Sequence, residues 1–256
     1  MIGVSLALCG CAGSVEGPSP SYAPLFHYVR SNQDGSLPEN IYVYRRDAAH
    51  LEVAKQVNRC TNSAYVTATL DPDRNQPLAL VGGRLTPELT QEAFAWLNYD
   101  PETRRMHLSF PRAGVESDVT VDGEPWMIYD FDLADITGLR AGRAPAREDF
   151  RLAVGLLWGQ GSSWSFNNRG FADARYIGAE THNGRGTLRF DVSGAISGPL
   201  WLDASEGFVV EARFDQPNHA GYDDFQLVLQ DVYPDGDAQW DAVRRAHWED
   251  CEGVDG

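Results

Sequence analysis

A chain of 256 residues, 43% of them hydrophobic, has material for one large β domain or two small ones. Its net charge of −16 excludes a nucleic-acid binder, which needs clustered Lys and Arg against phosphate, and also a polybasic membrane-surface protein. The cations are one lysine, Lys55, and twenty arginines, a skew that GC-rich coding produces without any functional demand.

The first eleven residues, Met1 to Cys11, form an apolar run closed by two cysteines. Leu8-Cys9-Gly10-Cys11 has the order of a lipobox: an aliphatic residue, a small residue, Gly, then the cysteine that is acylated. Cys9 competes for that role, but the bulky Leu8 would stand just before the cleavage point, so Gly10 favours Cys11. The run is far shorter than the roughly 20 apolar residues that span a bilayer. The expectation is a signal segment over 1–11 and lipidation at Cys11, which places the protein in the bacterial cell envelope, lipid-anchored and facing the periplasm. Residues 12–24, rich in Gly, Pro and Ser, read as a flexible tether, and 25–256 as a single β-rich domain. In an exported protein the remaining pair, Cys60 and Cys251, suggests a disulfide.

Period-two alternation dominates the body of the chain. It runs through Ile41/Val43, Leu51/Val53, Ala64/Val66/Ala68/Leu70, Ala93/Ala95/Leu97/Tyr99 and Met106/Leu108/Phe110. It resumes at Leu188/Phe190/Val192, Phe208/Val210/Ala212/Phe214 and Phe225/Leu227/Leu229. Turn signals fall at Asp71-Pro72-Asp73, Val81-Gly82-Gly83, Asp100-Pro101, Asp203–Gly207 and Pro217–Gly221. Helical pattern is scarce: about two turns over Asp132–Leu139, and a C-terminal helix capped by Asp237 with Trp240, Val243 and His247 on one stripe. The fold class expected is mainly β: one large curved antiparallel sheet, half-barrel-like, with one or two short helices. Twist accumulates strand by strand, so a sheet of this size curls around its helices or closes.

Several segments resemble a family of exported bacterial proteins of uncharacterised function: Glu39–Arg45, Leu80–Leu85, Pro125-Trp126 with Tyr129–Leu133, Gly198–Asp203 and Pro217–Phe225. The hairpins over residues 185–232 are also similar to the LolA/LolB-like lipoprotein carriers. That likeness implies a half-barrel whose concave apolar face holds acyl chains, and it transfers no individual residue.

Acidic residues gather at Asp130, Asp132 and Asp135. On a strand, Asp130 and Asp132 would share a face about 7 Å apart, between the retaining and inverting glycosidase spacings. The string looks like the signature of laminarinase-like glycosidases but carries Asp at both ends where that family has Glu. This gives an alternative reading, a carbohydrate-active enzyme or binder with Trp126, Trp158, Trp164 and Trp201 as sugar platforms, against the plainer one of a helix cap and core aromatics. His182, His219 and Asp223-Asp224 lack metal-ligand spacing, and Asp71–Asn75 fails as a calcium loop because Gln76 stands where Gly is needed. Gln160–Ser165 lacks the Gly-x-Ser-x-Gly elbow and reads as a loop. No phosphate cradle occurs, so no cofactor and no metal are expected.

The leading expectation is a non-catalytic envelope lipoprotein binding a lipid or other hydrophobic ligand on an apolar concave sheet face. Its partners are then the membrane through the anchor and a greasy small molecule, with no nucleic acid. The lining is assigned to Leu188, Phe190, Phe208, Val210, Phe214, Phe225 and Leu227. A third reading is a structural or interaction protein with an acidic surface.

Overall fold

The computed structural model describes residues 23–160 and 163–251. The signal segment, Cys11 and nearly all of the tether lie outside them. Among the described residues the protein is mainly β, one large open curved sheet with two α-helices. The first meander runs β1 (Leu25–Ser31), β2 (Glu39–Arg45), β3 (His50–Gln56), β4 (Ala64–Asp71), β5 (Gln76–Leu85), β6 (Gln91–Asp100), β7 (Arg105–Phe110) and β8 (Val115–Thr120). A crossover then carries the short β9 (Trp126–Ile128), a 3-10 turn at Tyr129–Phe131 and helix α1 (Ala134–Arg140). The second meander is β10 (Phe150–Gln160), β11 (Ser163–His182), β12 (Arg185–Gly194), β13 (Gly198–Asp203), β14 (Val209–Phe214) and β15 (Phe225–Tyr233), followed by α2 (Gly236–Trp248).

The two meanders join edge to edge. β15 returns to pair antiparallel with β1, from Leu25 opposite Tyr233 to Ser31 opposite Gln226. The strand order is therefore 8-7-6-5-4-3-2-1-15-14-13-12-11-10-9, antiparallel throughout except where β9 lies parallel to β10. The crossover lies inside the curve. Tyr129, Phe131, Leu133 and Ala134 are buried in the same core as Phe26, Val53, Phe190 and Phe225. Helix α1 is held against the inner face of the sheet: Thr137 Oγ1 hydrogen-bonds Tyr28 Oη at 3.0 Å, and Arg45 Nε donates to the Gly138 carbonyl at 2.9 Å. Gly138 is required there, because a Cβ would sit 2.6 Å from the Leu51 methyls.

Helix α2 covers the opposite face of β1–β4, where Trp240, Tyr44 and Tyr65 form a small second core. Asp237 is not its cap. The N-cap is Asp235 without a side-chain cap bond, and Asp237 instead accepts from the Tyr44 hydroxyl.

Two expected turns prove to be strand. Val81-Gly82-Gly83 runs through β5, with a bulge opposite β6 between the two glycines. A Cβ on Gly83 would lie 2.6 Å from the Glu92 carbonyl oxygen, so glycine here serves close strand approach rather than chain reversal. Gln160–Ser165, expected as a loop, contributes the tips of β10 and β11, with residues 161 and 162 outside the described set. Gly159 pairs with Trp164, whose ring occupies the place a side chain would take.

Cys60 and Cys251 are joined, closing a separation of 191 residues and fastening the end of α2 to the β3–β4 connection. A loop of that size contributes about 5 kcal/mol in the chain-entropy picture. Cys251→Ser should lower the urea midpoint by the equivalent of about 2–5 kcal/mol. An unchanged midpoint would show that α2 and its hydrogen bonds hold that end without the bridge.

Candidate functional site

A cavity of about 380 Å³ opens beside the crossover at Ile128–Phe131, between the inner faces of β4–β7 and the tips of β10 and β11. Small residues make the room: Ala64, Gly82, Ala95 and Gly159 border it where large side chains would fill it. Aromatic rings wall the far side, with Trp164 stacked on Phe110 at 5.4 Å between centroids and Phe94 and Trp158 beside them.

The other end of the cavity is charged. On β1, Phe26, Tyr28 and Arg30 face inward in alternation; on β2, Glu39, Ile41 and Val43; on β3, Leu51, Val53 and Lys55. The last inward position of each strand at this end is ionic. Arg30 pairs in register with Glu39, and Lys55 with Ala64 at the cavity wall.

Asp132 joins these groups from the crossover. Its side chain is fully buried, with Lys55 Nζ 2.5 Å from Oδ2, Arg30 Nη1 3.6 Å from Oδ1, and Asn218 Nδ2 donating to Oδ1 at 2.6 Å. His219 Nε2 lies 3.6 Å from the same Oδ1, too far for a hydrogen bond. Arg30 also pairs with Glu39, donates to Tyr222 Oη at 2.8 Å and lies 4.1 Å from the centre of the Tyr222 ring. Lys55 completes the lattice by donating to the main-chain carbonyl of Asp130 at 2.6 Å.

These contacts set the charge states. Burial opposes ionisation of Asp132, but Lys55 and Arg30 outweigh it and hold the carboxyl well below the usual range. Asp130 has less compensation: burial dominates, Lys55 opposes it only in part, and the carboxyl is pushed up to about 7. Burial, reinforced by Lys55, pushes the His219 imidazole down to about 4, so it is neutral at pH 7. Burial also raises Glu39 against the pull of Arg30. The two cations thus face one firmly ionised carboxylate and two reluctant ones, and the end as a whole is close to neutral.

The acid triplet does not form the expected pair on one strand face. Asp130 lies in the 3-10 turn, and Asp132 follows in the left-handed region at φ 54°. Asp130 borders the cavity, with Oδ1 accepting from the Leu157 N–H at 2.8 Å. Asp132 is locked behind it in ion pairs. Asp135 is sealed at the start of α1, both oxygens accepting main-chain N–H groups of Ile128 and Ile136 at 2.8 Å.

The tryptophans divide. Trp158 and Trp164 line the cavity, Trp126 is 1% exposed in the core, and Trp201 stacks on His182 at 4.0 Å. The expected lining does not border this cavity. Leu188, Phe190, Phe208, Val210, Phe214, Phe225 and Leu227 are all 2% exposed or less, buried in the same core as the crossover residues, where Tyr129 packs on Phe214 and Phe225. Alternation identifies inward positions but cannot separate a filled interior from a hollow one. Arg30, Glu39, Lys55, Asn218 and Tyr222 were not anticipated, and His219 only as a doubtful metal ligand. Among the described residues no three His, Cys, Asp or Glu side chains gather as a metal site, and no helix is long and apolar enough to cross a membrane. No family model matches this chain, and no curated protein is similar to it.

The raised carboxyls have a thermodynamic consequence. A group near 3.8 when unfolded and about 7 when folded keeps its proton longer in the native state. The stability it contributes is whole below pH 4 and is lost as pH rises to 7; for each of Asp130 and Asp135 this is on the order of 4 kcal/mol at most. Asp132 acts in the opposite sense and loses its contribution only on acidification through its depressed folded value. Asp130→Asn should therefore flatten the decline in urea stability between pH 4 and pH 8. An identical decline in the variant and the parent would remove Asp130 as its source.

Proposed function

We propose that this protein is an envelope lipoprotein that binds an amphiphile, a molecule with an apolar body and an uncharged polar end, in the cavity beside the crossover. The observation that carries the reading is the cavity's two-part wall, apolar along β4–β7 and internally charge-compensated at Arg30, Lys55 and Asp132. The volume falls in the usual small-molecule range and has room for about a dozen waters. An apolar body displaces those waters favourably. A headgroup with its own charge would upset the balance between two cations and their carboxylates, whereas a hydroxyl or carbonyl finds donors and acceptors without doing so.

Binding is measurable through the fluorescence of Trp158 and Trp164. Decanol should bind more tightly than decanoate or decyltrimethylammonium. Ala64→Phe, which puts a ring into the hollow, should weaken decanol at least about tenfold, or roughly 1.4 kcal/mol. Failure of all three probes to bind, or equal affinity in Ala64→Phe, would overturn the reading.

The lipid anchor rests on Leu8-Cys9-Gly10-Cys11. The several acyl chains of a lipoprotein hold a protein firmly at a membrane, where one chain holds weakly. Cys11→Ser should abolish metabolic labelling by palmitate and release the protein from the membrane fraction. Label retained in the variant would move the anchor elsewhere or remove it.

A further inference from the structure

Binding alone does not call for an unshared carboxyl on the cavity wall. Among the described residues that line the cavity none is Ser, Thr or Cys. The wall offers proton carriers: Glu39, Lys55, Asp130, His219 and Tyr222. Three of these are occupied. Glu39 pairs with Arg30, Lys55 is divided between Asp132 and the Asp130 carbonyl, and Tyr222 accepts from Arg30 while donating to the Leu37 carbonyl at 3.0 Å. Two have a site to spare. Asp130 is fixed through Oδ1, and among the described residues nothing donates to its Oδ2. His219 borders the same cavity, and its Nε2 has no hydrogen-bond partner.

We propose that the cavity is a proton-transfer site in which Asp130 takes a proton from the carbon next to a carbonyl of the bound amphiphile and returns it to that carbon or a conjugated one. The inference rests on the amphiphile-binding reading above. The C–H bond breaks, and its electron pair becomes the C=C bond of an enolate while the carbonyl π pair moves onto oxygen. The proton goes to Asp130, so the negative charge Asp130 loses appears on the substrate oxygen. Arg30 and Lys55 line the same cavity and meet that charge, and neutral His219 has one N–H to give it. Return of the proton restores the carbonyl and the carboxylate. Nothing is oxidised or reduced, no co-reactant is consumed, and the product is an isomer of the substrate.

A base works best when its proton affinity matches the ambient pH, which the environment of Asp130 provides. The placement also serves a general base: Asp130 lines the cavity beside Arg30, Lys55 and His219, and only its Oδ1 is taken up by a main-chain N–H.

Decan-2-one in deuterium oxide tests this directly, with binding followed by tryptophan fluorescence and deuterium uptake beside the carbonyl by mass spectrometry. The protein should speed exchange above the buffer rate, and the rate at saturating ketone should rise with pH through about 7 and then level. Asp130→Asn should bind the ketone within about threefold of the parent and lose about 10²–10⁴-fold in exchange. His219→Gln should bind and lose a smaller factor. Binding without exchange, exchange unchanged in Asp130→Asn, or a flat pH profile in the parent protein would overturn the inference while leaving the binding reading in place. Absence of binding by every probe, the ketone included, would bring down both. The pH profile of the parent decides the matter even where Asp130→Asn does not fold.

Discussion

The carboxylate of Asp132, closed off from solvent between Lys55 and Arg30, is the point on which the interior turns. It draws together four pieces of chain far apart in sequence: β1, β3, the crossover, and the loop carrying Asn218 and His219. An ion buried this deeply is tolerated only when paired and hydrogen-bonded, and removing one partner of such a cluster typically costs 3–5 kcal/mol. The local backbone reflects the same constraint. Asp132 and Leu133 both adopt the left-handed conformation, at φ 54° and 57°, which is unfavourable for residues with a Cβ. The surroundings leave them no alternative. The carboxylate must reach Lys55 while the next residues, Leu133 and Ala134, enter the core and begin α1.

The crossover divides the interior unevenly. Leu188, Phe190, Phe208 and their neighbours belong to the same buried core as its Tyr129 and Phe131 and border no part of the cavity. Elsewhere the same sheet carries Ala64, Gly82 and Ala95 on the cavity wall, where short side chains leave the space open. The hollow is therefore a consequence of side-chain size at a few inward positions of β4–β6, not of a different backbone architecture. The ring of Trp164 over Gly159 completes the wall from the other meander.

Much of the sheet was legible in the alternation. The inward series at Ile41/Val43, Leu51/Val53, Met106/Leu108/Phe110 and Phe225/Leu227/Leu229 all fall on strands with those residues buried. Glycines misled. Gly82-Gly83 read as chain reversal, yet Gly83 serves close strand approach. The site was harder to see because its residues continue alternations that begin apolar. Arg30 follows Phe26 and Tyr28, and Lys55 follows Leu51 and Val53, so each is a cation at an inward position. That signal is present in the sequence, as is the solitary lysine, a skew that GC-rich coding also produces. A compact ammonium with three donors can satisfy the Asp132 carboxylate and the Asp130 carbonyl at once; the planar fork of arginine is shaped for two oxygens of one group. What no pattern could supply was the meeting of Lys55 with Asp132 across the crossover, since nothing local ties those positions together.

Buried acids elsewhere show what sets Asp132 and its half-buried neighbour Asp130 apart. Glu52 accepts from Tyr65 and from Trp240 Nε1, the latter at 2.8 Å, beneath α2. Glu211 is served by His182 and Asn183 at 2.7 Å each and by Arg213. Both are surrounded by donors, most of them from neighbouring elements, and both are accounted for by the packing they secure. The Asp132 cluster is different because it borders empty space. Low-dielectric walls strengthen every charge interaction near them, so cations placed there act strongly on whatever enters. The same walls raise the proton affinity of an incompletely compensated carboxyl, which is the condition of Asp130. A hollow costs packing and a buried ion cluster costs solvation, and neither is needed to hold a sheet whose other half is solidly filled. Their coincidence at one end of one cavity is what the packing of the sheet alone does not explain.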